Sequence, residues 1–442
     1  MIRLFLAAML LPAIAWAETG RVSSFTLDNG MQAIVIEDNR APIVTHMVWY
    51  NVGAADEPPG LSGIAHFLEH LMFKGTEKLA VGEFSQTVKE NGGVDNAFTS
   101  YDYTGYFQRV ARDRLSLMMS LEADRMVNLR LDPREVETER AVVLEERKSR
   151  TDSDPGALFS EQRRAAQFLN HPYARPVVGW RHEIEAMTIA DLLAFYKAHY
   201  APNNATLIVA GDVTPNEVRA LAEEHYGPIP SNPAIVERVR AVEPPQISAR
   251  RLSYSDPRER QPYLVRTYIA PKRESGNQKE AAAVAMLAYL MGGTGVTSVL
   301  GEKLQLEEQV AVFTQAWYDS MSFDPDTFGL YAQPRPGVSL EELEAAIDAT
   351  IRDLIENGFD EAKLDRLKTQ IAAQEIYALD DQSGIARRYG RAVTAGLTVA
   401  DVKAWPQVLQ EVTVEDVVAA ARSVFDINRS VTGWMVVEEA TQ

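Results

Sequence analysis

The chain has 442 residues, a formal charge of −18 and no cysteine. Disulfides, thiolate metal sites, iron–sulfur clusters and cysteine nucleophiles are thereby excluded. The acidic balance offers no basic field to gather phosphates and argues against nucleic acid. Hydrophobic residues make up 46% and charged residues 24%, an ordinary globular composition. At ~100–200 residues per domain, two or three domains are expected.

Met1 to Ala17 reads as a secretory signal peptide. Arg3 precedes an apolar run, and Ala15 and Ala17 are small residues placed for cleavage after Ala17. The run is too short to span a bilayer, and no other stretch approaches spanning length. An exported chain without disulfides fits the bacterial periplasm, or secretion.

From Ser24 to Ile36, Asp28-Asn29-Gly30 marks a turn between β-rich runs. A helix follows Pro58, Pro59 and Ser62. It carries His66, Glu69 and His70, an H-x-x-E-H pattern. His66 and His70 are i and i+4, so one helix face presents both imidazoles. That pair can hold a zinc ion, and Glu69 beside it can take a proton from water acidified by the metal. Such a site needs a third ligand.

Gly92-Gly93 then opens a strand through Asn96, Ala97, Phe98 and Thr99. At a sheet edge it would add a peptide by main-chain hydrogen bonds. A second helix from Leu131 carries Glu139 and Glu146, seven apart and on one face. They are candidates for the third ligand. The remaining histidines, His46, His171, His182, His199 and His225, lack partners at ligand spacing and read as structural or exposed.

The chain also reads as duplicated. Thr188 opens a capped helix, a turn and an apolar strand, and Thr413 does the same 225 positions later. Leu131 and Phe359 open similar long helices 228 positions apart. A Pro-rich connector separates the halves. The expected organisation is a signal peptide at 1–17, a zinc-binding domain at 18–228, a linker at 229–246 and a homologous domain at 247–442. Each domain is expected to be α+β, with a mixed sheet packed by helices.

The order H-F-L-E-H, G-G-x-x-N-A-F-T-S and E-R-x-V-V-x-E-E resembles the pitrilysin family of inverted-motif zinc peptidases. That family includes insulin-degrading enzyme and the mitochondrial processing peptidase, and a chain of this size is similar to the latter, two-domain branch. The resemblance implies one zinc ion per chain, held by His66, His70 and Glu146. It implies Glu69 as general base and Glu139 as a carboxylate supporting the ligands from behind. It matches Asn96, Ala97, Phe98 and Thr99 to the strand that binds substrate. It also implies the two-domain fold.

The second half departs from the site. Ala285, Ala288 and Tyr289 align with His66, Glu69 and His70, and Gln374 falls near Glu146. The resemblance further implies an Arg and a Tyr seven apart on a later helix, in a pattern L-R-x-x-x-x-x-G-Y. Over Lys303 to Phe313, Gln305 takes the Arg slot and Val312 the Tyr slot. Leu304 to Glu308 reads as a solvated acidic face. The expectation is a zinc metalloendopeptidase acting on peptides or unfolded chains. It is the metal-bearing subunit of a heterodimer whose homologous partner supplies Arg and Tyr, or a homodimer with another oxyanion donor. The alternative is a non-catalytic peptide-binding or assembly subunit.

Overall fold

The computed structural model describes residues 22–293 and 295–437. The expected signal peptide lies outside the described residues. Strands β1 (Val22–Thr26), β2 (Gln32–Glu37), β3 (Ile43–Tyr50), β4 (Val94–Thr99), β5 (Thr104–Ala111) and β6 (Ala205–Gly211) form one sheet, ordered β1-β2-β6-β3-β5-β4. Strands β7 (Arg250–Ser255), β8 (Tyr263–Ala270), β9 (Ala311–Tyr318), β10 (Asp326–Pro334) and β11 (Ser430–Val436) form the other, ordered β7-β11-β8-β10-β9.

Apart from β1, the two sheets have the same plan. β2 runs parallel to β6 and β7 parallel to β11, and the remaining ladders are antiparallel. β6 and β11 begin 225 positions apart, at Ala205 and Ser430. The fold is α+β in two similar halves. The β1–β2 hairpin turns at Gly30, whose φ of +88° is open to glycine without strain.

Helices α1 (Ile64–Leu71), α2 (Glu83–Glu90), α3 (Leu115–Val127), α4 (Pro133–Arg147), α5 (Pro155–Gln167), α6 (Arg181–Ala186), α7 (Ile189–His199) and α8 (Pro215–His225) belong to the first half. Helices α9 (Lys279–Ala288), α10 (Leu340–Asn357), α11 (Glu361–Ala378), α12 (Gln382–Thr394), α13 (Val399–Gln410) and α14 (Val414–Val424) belong to the second. Thr188 and Thr413 cap α7 and α14 through reciprocal bonds with Asp191 and Asp416. Each box satisfies helix-end donors that would otherwise lack partners. No helix among the described residues is long and apolar enough to cross a membrane.

One face of the first sheet, with Val35, Val48 and Tyr106, packs on Phe67, Leu71 and Met118 of α1 and α3. The opposite face, with Ile34, Met47, Trp49 and Ile208, is covered by Ala386, Tyr389 and Ala392 of α12. Reciprocally, α5 lies on β11 and the second sheet. Small residues permit both approaches. A Cβ on Gly390 would stand 2.1 Å from the Trp49 ring, and one on Gly433 2.7 Å from the Phe159 ring. Each half therefore lends a helix to the other's sheet.

Residues 226–249 hold neither helix nor strand. Arg240 in this stretch reaches Asp56 at 2.9 Å, Asp102 at 2.5 Å and Asp324 at 3.0 Å. It ties carboxylates of both halves together. The segment Leu304 to Glu308 is solvated only in part: Leu306, Glu307 and Glu308 are exposed, but Leu304 and Gln305 are buried, because this turn tucks against β9.

Candidate metal centre

Helix α1 is short, and its first turn is held from outside. Glu57 is buried and accepts from the Gly63 N–H and the Ala65 N–H, each at 3.0 Å. Glu183 accepts from the Ser62 N–H at 2.6 Å, and the Trp180 N–H donates to Ser62 Oγ at 2.8 Å. Gly63 caps the helix at φ +87°, a conformation open to glycine. Carboxylates here satisfy orphan donors and favour the positive helix end. The 178–180 loop lies so close that a Cβ on Gly179 would stand 2.3 Å from the Ser62 carbonyl oxygen.

On this fixed helix, the His66 and His70 rings lie 4.8 Å apart at 74°. Helix α4 crosses α1 and brings Glu146 to them. Glu146 Oε2 lies 3.2 Å from His70 Nε2 and 3.7 Å from His66 Nε2. One donor atom from each of the three residues falls within 4.8 Å of the others. A tetrahedral zinc site with bonds of ~2.0–2.1 Å needs donors roughly 3.4 Å apart, so the set fits that ion. The group is also chemically suited, with two imidazoles and one carboxylate.

Glu139, two turns earlier on the same face of α4, stands on the other side of His70. It accepts from His70 Nδ1–H at 2.8 Å and pairs with Lys74. That bond leaves Nε2 as the metal-facing nitrogen of a neutral His70. His66 Nδ1 is buried without a hydrogen-bond partner. Arg150 pairs with Glu146 Oε1 at 2.6 Å.

The charges form a coupled set. Burial, then the neighbouring His70 charge, push His66 down to about 4. Burial opposes charge on His70, but the bonds to Glu139 and Glu146 outweigh it and lift His70 to about 9. The hydrogen bond from His70 holds Glu146 down at about 2, against its burial. Without a metal, His70 is thus a cation clamped between two carboxylates. Burial raises Glu69, while the Thr99 hydroxyl bonded to it pulls the other way.

Glu69 is 9% exposed, and its Oε2 accepts from Thr99 Oγ1 at 2.5 Å. Thr99 ends β4, the terminal strand of its sheet. In the same strand Asn96 Oδ1 accepts from the Ala97 N–H at 2.9 Å, and Phe98 turns to the opposite face against Trp49. Spacing in the sequence pointed to Glu69, and strand-like composition to Asn96 through Thr99; the sequence singled out neither Lys74 nor Arg150. It gave no role to Glu57, seven positions before the first residue of α1 and outside the usual N-terminal turn.

The second half holds no such group among the described residues. Ala285 and Ala288 lie on α9, followed by Tyr289. Gln305 and Val312 do not share a helix. Gln305 sits in a helical turn with its amide bonded to the Thr314 hydroxyl at 2.8 Å, and Val312 is exposed on β9. Gln309 between them adopts φ +56°, which ends the helical path. Of the other histidines, His46 is buried against Gln108 and Tyr226, and His225 bonds Ser116.

Residues 33–180 match the family model described as insulinase (peptidase family M16), and residues 186–371 match the one described as peptidase M16 inactive domain. The zinc protease PqqE of Helicobacter pylori is 31% identical over 415 residues, covering 93% of this chain and 92% of that protein. A probable mitochondrial-processing peptidase subunit beta of Arabidopsis thaliana is 25% identical over 374 residues, covering 83% of this chain and 69% of that protein. The crystal structure of a protease from Helicobacter pylori aligns with a TM-score of 0.87 at 29% identity, over 94% of this chain and 99% of that one. His66, Glu69, His70, Glu139 and Glu146 all fall inside the first match. By these matches the chain belongs to the insulinase family of peptidases, family M16.

Proposed function

We propose that this chain is a zinc-dependent peptidase of peptides or unfolded polypeptides, exported to the periplasm or secreted. The observation that carries the reading is the convergence of His66, His70 and Glu146 beside Glu69, which is bonded in turn to the edge strand. His66, His70 and Glu146 would hold one zinc ion, which supplies Lewis acidity to a carbonyl and acidifies water.

The chain's own groups do the rest. β4 aligns an extended peptide by main-chain hydrogen bonds, for which the Ala97 N–H now bonded to Asn96 is one donor. Glu69 takes the proton of the attacking water and returns it to the departing amine. Its burial keeps competing water away and strengthens its electrostatic contacts. Glu139 keeps His70 oriented with Nε2 toward Glu146.

The second half offers neither cation nor phenol at Gln305 and Val312, which supports a homologous partner subunit that supplies them. Turnover of a quenched peptide tests the reading, with bound zinc measured alongside. Glu69→Gln should keep its zinc and lose turnover by about 100-fold or more. Unchanged turnover in that variant removes Glu69 as base and favours the non-catalytic, peptide-binding reading. Equal turnover by the chain alone and with its homologue removes the partner.

A further inference from the structure

We propose that the peptide edge at β4 continues into a subsite for an acidic substrate side chain, built by Arg387 and Arg391 of α12. The inference rests on the reading of β4 as the peptide-binding strand.

Side chains of a strand alternate between faces. Thr99 points to Glu69 and α1. Phe98 points the other way, with its ring 4.7 Å from Trp49 and 6.0 Å from Tyr103. A peptide added to β4 alternates in the same manner. Every second side chain then faces away from the metal residues and toward α12.

A cleft of about 560 Å³ opens on that side, between the end of β4 and α12. Gly384, Arg387 and Arg391 line it from one helix face, at i, i+3 and i+7. Its charged lining is arginine alone, in a chain of formal charge −18. These guanidiniums differ in what they already hold. Arg388 pairs with Glu375 at 2.5 Å. Arg391 pairs with Asp319 at 2.6 Å, and its Nε is buried without a partner. Arg387 is exposed and has no carboxylate partner among the described residues.

Arg387 is nonetheless held in place. It stands over the Phe107 ring at 5.1 Å and the Phe98 ring at 5.5 Å. Two aromatic faces thus seat a guanidinium beside the peptide edge, with its donor fork free for a carboxylate. Seated over two neighbouring rings, it loses less side-chain freedom on binding. The same field repels lysine or arginine at that substrate position. The second half therefore contributes to the site through α12, although its own metal residues are gone.

The test uses the full chain with zinc and its homologue, and peptides blocked at both ends. Glu, Gln or Lys is placed at each position in turn. Turnover is measured with the native chain, and affinity by fluorescence anisotropy with the Glu69→Gln variant. At one position Glu should be preferred to Gln by about tenfold in both measurements. Arg387→Gln should bring that ratio to about one, and Arg387→Glu should turn the preference to Lys. A ratio near one at every position, or a preference that survives Arg387→Gln and Arg391→Gln, overturns the subsite. Affinity that keeps the Arg387-dependent preference, without any turnover, sinks the peptidase reading and leaves the subsite standing. Turnover without that preference does the reverse. If no peptide binds or is cleaved, both fall.

Discussion

The Thr99 hydroxyl donates to Glu69 Oε2 at 2.5 Å, so the last residue of the edge strand is bonded directly to the carboxylate of the H-x-x-E-H helix. The strand that would align a peptide and the base that would act on it are thereby fixed to each other. Removing the hydroxyl while keeping the shape, Thr99→Val, should lower kcat by about tenfold through a misplaced base. Bound zinc should stay the same, because Thr99 touches none of His66, His70 and Glu146. Unchanged kcat would show that the bond positions nothing.

Among the described residues, Glu146 is the one whose carboxylate pairs with both histidines. Adding zinc to metal-free chain should raise Tm, by the equivalent of about 2.7 kcal/mol at a hundredfold excess over Kd. Glu146→Gln should lose most of that rise. Chelation of the native chain should abolish turnover but leave far-UV circular dichroism intact. A proton on His70 Nε2 then links it to Glu146, where the metal would lie. A Tm rise of equal size in the variant would remove Glu146 from the ligand set.

Arg240 is 4% exposed at its side chain and meets Asp56, Asp102 and Asp324. Arg240→Met should cost about 3–5 kcal/mol, because it leaves the buried Asp102 without a cation and Asp56 with Arg238 alone at 3.5 Å. The loss should appear as a lower urea midpoint, with the two halves unfolding less cooperatively. A midpoint unchanged within error would mean that the clasp is screened by solvent.

His46 is fully buried between Gln108 at 2.6 Å and Tyr226 at 2.9 Å, and burial lowers its pKa. Above the unfolded value of about 6.5 it is neutral in both states and costs nothing. Below that value the unfolded chain takes up the proton and the folded chain resists. Stability therefore falls as pH drops from about 6.5 toward the folded value, by up to about 1.4 kcal/mol per pH unit. His46→Gln should unfold with a smaller difference between about pH 7.5 and about pH 5 than the native chain does. An equal difference would assign the acid sensitivity to other groups.

Much of this was legible because it is local. The i, i+4 placement of His66 and His70 follows from helix geometry once a helix forms. Thr188 and Thr413 cap their helices through acids three positions on, as their sequences specify. The 225-residue offset survives as matching strands β6 and β11. Gly92-Gly93 leads into a terminal strand as its composition suggested. The solvated reading of Leu304 and Gln305 failed because their neighbours come from β9, after the chain has turned back.

The sequence by itself therefore determined the donor types, their order and the helix face that carries two of them. Only the tertiary structure decided which α4 carboxylate stands where: Glu146 faces both Nε2 atoms, and Glu139 lies behind His70 at Nδ1. It alone decided that Glu57 clamps the start of α1, that Arg240 joins the halves, and that α12 sets Arg387 beside the terminal strand β4. The physical reason is range. Spacing along one helix is set by a fixed rise of about 1.5 Å per residue. The crossing of α1 over α4, and of α12 over a sheet from the other half, depends on how side chains interdigitate between segments far apart in the chain.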